Sequence, residues 1–153
     1  MDLLSTASQQ SAFRGYEYYT HNAVKDYEQL DSTHYQGRVS GSSDNVYDVL
    51  IDLDHPKKSQ CTCPFATGRY VVCKHMVALY FTIFPDEAKQ FICEVERANE
   101  EAEEFEEEIA KKLEYYIRHL KKAELQDILL DLLFDGPEWQ YDQFVLDHFN
   151  EIY

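Results

Sequence analysis

The chain has no stretch approaching the roughly 18 consecutive apolar residues of a membrane-spanning helix, so the sequence contains no candidate span. No segment repeats, which argues against a repeat array. There is no glycine-rich phosphate loop, no nucleophile elbow and no second cluster of metal-ligating residues. The common signatures of nucleotide hydrolysis and acyl transfer are therefore missing. The opening residues, MDLLSTASQQ, have no cationic stretch followed by a long apolar core. The expectation is a chain without a secretory signal, kept in a reducing cytoplasm. Positive charge is scarce: 14 Lys and Arg stand against 29 Asp and Glu, a net charge of −15. Affinity for duplex DNA rests on cationic contacts with phosphates, so the chain as a whole is a poor general DNA binder. The carboxylates form no pairing that suggests acid–base catalysis and read as a solvated face.

Cysteine is also scarce, with only four in 153 residues, but three of them fall in one short segment, CTCPFATGRYVVCKH. Cys61, Cys63, Cys73 and His75 supply three soft thiolates and one imidazole, a full tetrahedral set for Zn²⁺. Residues i and i+2 of an extended strand project to the same side, so Cys61 and Cys63 on one strand can reach a single ion. Pro64 discourages further pairing, and Gly68 allows the chain to turn back. Cys73 and His75 then open an apolar run, Met76 to Phe81, that reads as a helix whose first-turn N–H groups favour the Cys73 thiolate. Four protein ligands close the coordination sphere, which marks one structural ion and not a catalytic one. A disulfide reading conflicts with the reducing setting and would strain the Cys-x-Cys ring. An iron–sulfur cluster or redox pair is the minor alternative. Cys93 stands apart and reads as a small buried apolar residue on a helix. His21, His34, His55, His119 and His148 repeat no ligand spacing and read as ordinary polar residues.

Around the ligands the chain reads as α+β. Residues 8–20 form a short helix. Strands follow at 24–30, 34–41 and 46–54, the last with period-two alternation (VYDVLIDLD). The cluster Gly41 to Asn45 is turn chemistry and joins two of the strands in an antiparallel hairpin. A short strand carrying Cys61 and Cys63 completes a small β-meander of three to four strands with the metal at one edge. The helix after the ligands stops by Pro85. From Asp86 the period changes to that of a long helix. Its apolar positions, including Phe91, Val95, Phe105, Ile109, Leu113 and Ile117, form a narrow seam that is expected to pack on the chain's own final helices. Those helices are 123–134 and 138–153, broken by Gly136-Pro137. The organisation is thus a first domain at 1–84 and an acidic α-helical C-terminal region at 85–153. Charge follows the same division. Residues 1–80 hold 7 Lys and Arg against 9 Asp and Glu, and residues 81–153 hold 7 against 20. With 44% hydrophobic residues the chain can bury a real core, and its 12 Tyr and 9 Phe suit half-buried positions in a small domain.

Cys-x-Cys, a spacer and Cys-Lys-His resemble the signature of the SWIM zinc finger, and the chain is similar to bacterial SWIM-domain proteins. Phe13-Arg14-Gly15-Tyr16 with Tyr18 and Tyr19 resembles the family's Arg-Gly-x-x-Tyr opening. Val39-Ser40-Gly41-Ser42 and Tyr47-Asp48-Val49 resemble its strand pattern. The resemblance covers about residues 7–84. Asn22-Ala23 departs from the glycine common before Val24, and Asn is the residue that best tolerates a left-handed turn in its place. The resemblance implies binding to DNA or proteins. The expected function is therefore a non-enzymatic zinc-binding module for macromolecular interaction, chiefly with a protein, and a basic one given the −15 balance. Nucleic-acid binding through the finger half is the alternative, with Lys57, Lys58, Arg69 and Lys74 as the contact set. An ordinary solvated surface explains the same four cations. An enzyme or regulatory subunit with an unrecognised site is the third reading. The sequence leaves the oligomeric state open.

Overall fold

The computed structural model describes residues 3–42 and 45–149, and these fall into two compact units divided between Glu96 and Arg97. In the first unit, helices α1 (Leu3–Thr6) and α2 (Gln9–Thr20) precede a four-stranded sheet. The strands are β1 (Val24–Gln29), β2 (His34–Ser40), β3 (Val46–Asp52) and β4 (Gln60–Cys61), antiparallel throughout and in sequential order. This is the expected meander. A 3₁₀ turn at Pro56–Lys58 leads into β4. Helix α3 (Lys74–Ile83) follows, then α4 (Pro85–His119), α5 (Lys122–Phe134) and α6 (Glu138–His148).

Each early element starts and stops for a local reason. The Ser8 hydroxyl accepts from the Ser11 N–H and caps α2. After α2 the chain reverses through Asn22 at φ 54°, the left-handed geometry that the Asn-for-Gly exchange requires. β2 and β3 pair from His34↔Asp52 to Ser40↔Val46. Two residues of the turn joining them, 43 and 44, lie outside the described residues. Pro85 ends α3 and begins α4, where a missing N–H costs nothing.

The core forms where α3 lies on the sheet. α3 is apolar all round and buries His75 to Phe81 without interruption, against Val39, Val49 and Ile51 of the strands. α2 covers α3 from outside. The two helices approach most closely at Gly15, where a Cβ would lie 2.4 Å from Val77 Cβ and 3.0 Å from the Lys74 carbonyl oxygen. Aromatic rings fill the seam beside this crossing. Phe91 stands 5.4 Å from Phe81, 5.6 Å from Phe13 and 5.9 Å from Tyr16, ring centre to ring centre. These contacts explain why the first unit ends at Glu96 and not between residues 84 and 85. The first turns of α4, with Ala88 buried and Phe91 half-buried, complete its core.

The second unit comprises α4 from Arg97 onward, α5 and α6. Leu133 is buried, and Phe134 meets Tyr141 at 6.0 Å between ring centres. Gly136 is required in this corner, because a Cβ there would lie 2.2 Å from the Leu132 carbonyl oxygen. The expected packing of the α4 seam on the final helices is not what the structure shows. Phe105, Ile109, Leu113 and Ile117 all remain exposed. Residues 150–153, the end of the helix expected over 138–153, lie outside the described residues. Cys93 corrects another expectation: it sits on α4 but on the outer face, exposed.

The Gly15 crossing can be tested directly. Gly15→Ala raises helix propensity yet should lower stability by about 1–3 kcal/mol, because the added methyl has to push α2 off α3. Urea unfolding of both proteins gives the difference, and a stabilised variant would contradict the crossing.

Candidate metal centre

Two elements bring the ligands together. β4 pairs with β3, setting Cys61 opposite Val49 and Gln60 opposite Leu50. The pairing continues one residue further: the Thr62 N–H donates to the Asp48 carbonyl at 3.0 Å, and the Asp48 N–H donates to Thr62 Oγ1 at 3.0 Å. Cys63 is not on a strand, contrary to the sequence expectation. Its carbonyl accepts from the Ala66 and Thr67 N–H groups and from Thr67 Oγ1. It therefore opens a tight helical turn through Pro64, which Gly68 closes at φ 71°. This knuckle, not strand alternation, turns the Cys63 sulfur back toward that of Cys61. The chain returns along Val71 and Val72 to Cys73, the N-cap of α3, and His75 follows in the first turn of that helix.

The four ligand atoms lie within 4.8 Å of one another, and all four residues are buried. His75 Nδ1 is 3.7 Å from Cys61 Sγ and 3.9 Å from Cys73 Sγ. A tetrahedral Zn²⁺ with ordinary bond lengths separates sulfur and nitrogen by about 3.6 Å, so Nδ1 is the nitrogen placed to ligate. Tyr47 and Tyr18 close over the imidazole, with ring centres 4.7 Å and 5.4 Å away.

Without a cation the cluster is electrostatically awkward. Cys73 is held down to about 4, chiefly by the hydrogen bond with the Cys61 thiol, and further by His75 and the Met76 N–H. Cys61 is pushed up by giving that same bond, and Cys63 is pushed up by burial. One negative charge can be held and the second and third are resisted. A divalent cation reverses this, because three thiolates then face a compensating charge. Donor type, spacing and burial all fit Zn²⁺, and the cluster is suited to bind one structural ion.

The family comparison agrees with this geometry. Residues 47–84 match the SWIM zinc finger family model, which spans β3 to the end of α3 and includes all four ligands. The chain carries a SWIM zinc finger. No curated protein and no solved structure gives a match. Residues 7–46, with the Arg-Gly-x-x-Tyr resemblance, lie outside the matched segment.

The four candidate nucleic-acid cations do not form one rim. Lys57, Lys58 and Arg69 line a common groove of about 960 Å³ together with Tyr70, which is 82% exposed. Lys74 lies elsewhere. Its Nζ donates to Tyr18 Oη at 2.6 Å and sits 4.2 Å from the centre of the Tyr18 ring. Two histidines read as ordinary also have defined partners. His34 Nε2 lies 3.6 Å and His55 Nδ1 3.5 Å from Oδ2 of the buried Asp52, and His34 Nδ1 lies 2.9 Å from Asp31. The Asp31 hydrogen bond raises the His34 pKa above its ordinary value. The members of this group come from two separate segments, Asp31-x-x-His34 and Asp52-x-x-His55, which the β2–β3 pairing brings together. No helix among the described residues is long and apolar enough to cross a membrane.

Structural zinc contributes folding free energy on the order of 10 kcal/mol near neutral pH, comparable to the whole stability of a domain. A chelator should therefore speed amide hydrogen exchange across residues 45–84 and leave exchange in α5 and α6 unchanged. Cys63→Ser should lose the ion and behave like the chelated protein, whereas Cys93→Ser should keep one zinc per chain. Stoichiometric metal in Cys63→Ser would overturn the assignment.

Proposed function

We propose that the protein is a non-enzymatic interaction module whose partner is another protein with a basic, amphipathic surface. The observation that carries this reading is the uncovered apolar seam of α4. Phe105, Ile109, Leu113 and Ile117 are between 44% and 63% exposed and follow or interrupt a run in which seven of the nine residues 100–108 are Glu. Leu132, Phe134 and Trp139 on α5 and α6 are each more than half exposed. Apolar rows of this extent are characteristic of surfaces that bind other macromolecules. Charge selects the occupant. Residues 81–153 carry a net −13, so two copies would repel, whereas a cationic amphipathic partner meets both the seam and its acidic flanks. The closed Cys₃His set supports a scaffolding role for the ion. The need to keep three thiols reduced supports a reducing compartment such as the cytoplasm.

The test is capture on immobilised, zinc-loaded full-length protein after nuclease treatment. The expected partner survives nuclease, is released by salt, and is lost with the double variant Ile109→Glu, Leu113→Glu. Recovery unaffected by that variant removes the seam from the interaction.

A second reading rests on the groove shared by Lys57, Lys58 and Arg69, with Tyr70 as an exposed ring on which a base could stack. Binding of single-stranded nucleic acid there predicts a slope of about −2 in log K against log salt, the value for three phosphate contacts. Lys57→Gln should make the slope shallower. A salt-independent signal, or none, removes this reading.

A further inference from the structure

Beside the metal centre a cavity of about 300 Å³ opens between α2 and the finger. Its wall carries two cations, Arg14 and Lys74, and no carboxylate among the described residues, and the ligand residues Cys63, Cys73 and His75 form part of it. Acids outnumber cations two to one in this chain, so two cations on one cavity wall without a carboxylate are a distinct local feature. Its construction follows from the fold. The α2–α3 crossing at Gly15 sets Arg14 next to the first residue of α3, which is Lys74. Lys74 is fixed by its hydrogen bond to Tyr18 Oη. Arg14 has no recorded partner among the described residues and is free to engage a ligand.

Two further donors face the same need. Ser11 Oγ accepts from Ser8 Oγ at 3.0 Å, leaving its own proton to give. The second is His75, which also lines the cavity. With Nδ1 directed at the metal, Nε2 carries the proton. That atom is buried without a hydrogen-bond partner. Metal-bound histidines regularly donate this second N–H to an acceptor, and here the protein supplies none among its described residues.

We propose that this cavity binds the phosphate group of a small organic phosphate. The forked guanidinium of Arg14 and the ammonium of Lys74 hold the oxyanion. Ser11 and His75 Nε2 add neutral donors, and Tyr47 and Phe65, which also line the cavity, take the apolar remainder of the molecule. This site is separate from the groove of Lys57, Lys58 and Arg69 and does not depend on the partner of the helical unit.

Inorganic phosphate and a nucleoside monophosphate, each titrated into zinc-loaded full-length protein at constant ionic strength, test the assignment by ¹H–¹⁵N NMR. Saturable shifts are expected at Ser11, Lys74 and His75 for both, with the monophosphate binding about tenfold tighter because it also contacts the aromatic wall. Arg14→Gln, with zinc content and melting temperature unchanged, should weaken both about tenfold. Lys57→Gln should change neither. Shifts that never saturate, or an Arg14→Gln protein that binds like the native one, overturn the site. Equal affinity for the two ligands overturns the organic phosphate in particular.

Discussion

Three buried sulfurs and a buried imidazole nitrogen crowded within 4.8 Å are the constraint on which the first unit rests. As thiols they bury hydrogen-bonding groups with little to satisfy them, and as thiolates they repel one another in a medium that screens poorly. Only a central cation makes the arrangement a minimum. The ion then does what hydrophobic packing alone cannot do here. It ties the two-residue edge strand β4 to the first turn of α3 across residues 62–73, a segment that contains no strand or α-helix. Once Cys73 and His75 are held, the rotation of α3 is set. That rotation lays Leu79 against Gly37 of β2 and Val77 under Gly15 of α2.

Some of this was written locally and some was not. The ligand set was legible because donor chemistry is a property of residue type, and Cys-x-Cys with Cys-x-His leaves few other uses. The strands were legible because alternation reports one buried face. Asn22 was legible because few residues tolerate the left-handed angle it adopts. The path from Cys61 to Cys63 was not: two residues cannot show whether the chain stays extended, and the turn from Cys63 to Thr67 decides otherwise. The compact first unit runs past Pro85, because that residue interrupts the helix without ending the core, which recruits Ala88 and Phe91 from beyond it. For the α4 seam, periodicity reports which side of a helix is apolar and says nothing about what covers it. Cys93 fails for the same reason, since composition favours burial while its position on the helix faces outward.

The grouping of cations was the least legible feature. Lys57, Lys58, Arg69 and Lys74 lie close in sequence, yet the knuckle and the α2–α3 crossing send them to two surfaces. Arg14, sixty residues from Lys74, becomes its neighbour. Charge patterning along a chain predicts solubility and long-range field, but a binding surface is made by whichever charges the fold collects. Here it collects them around the metal, so the ion that stabilises the unit also positions its positive groups.

The two units differ in how their surfaces are made, and this bears on what each can recognise. The finger has a fixed shape, because four ligands, a continuous aromatic cluster and a buried helix leave its surface residues few alternatives. A partner there meets pre-organised groups and orders little on binding. The helical unit buries Leu133 and leaves most of its large apolar side chains exposed. Its helices also carry like-charged pairs such as Glu103 with Glu107 on adjacent turns. Both costs, hydrated apolar surface and crowded carboxylates, fall when a cationic amphipathic surface covers them. Selection among partners therefore rests on shape in the finger and on charge together with apolar area in the helices.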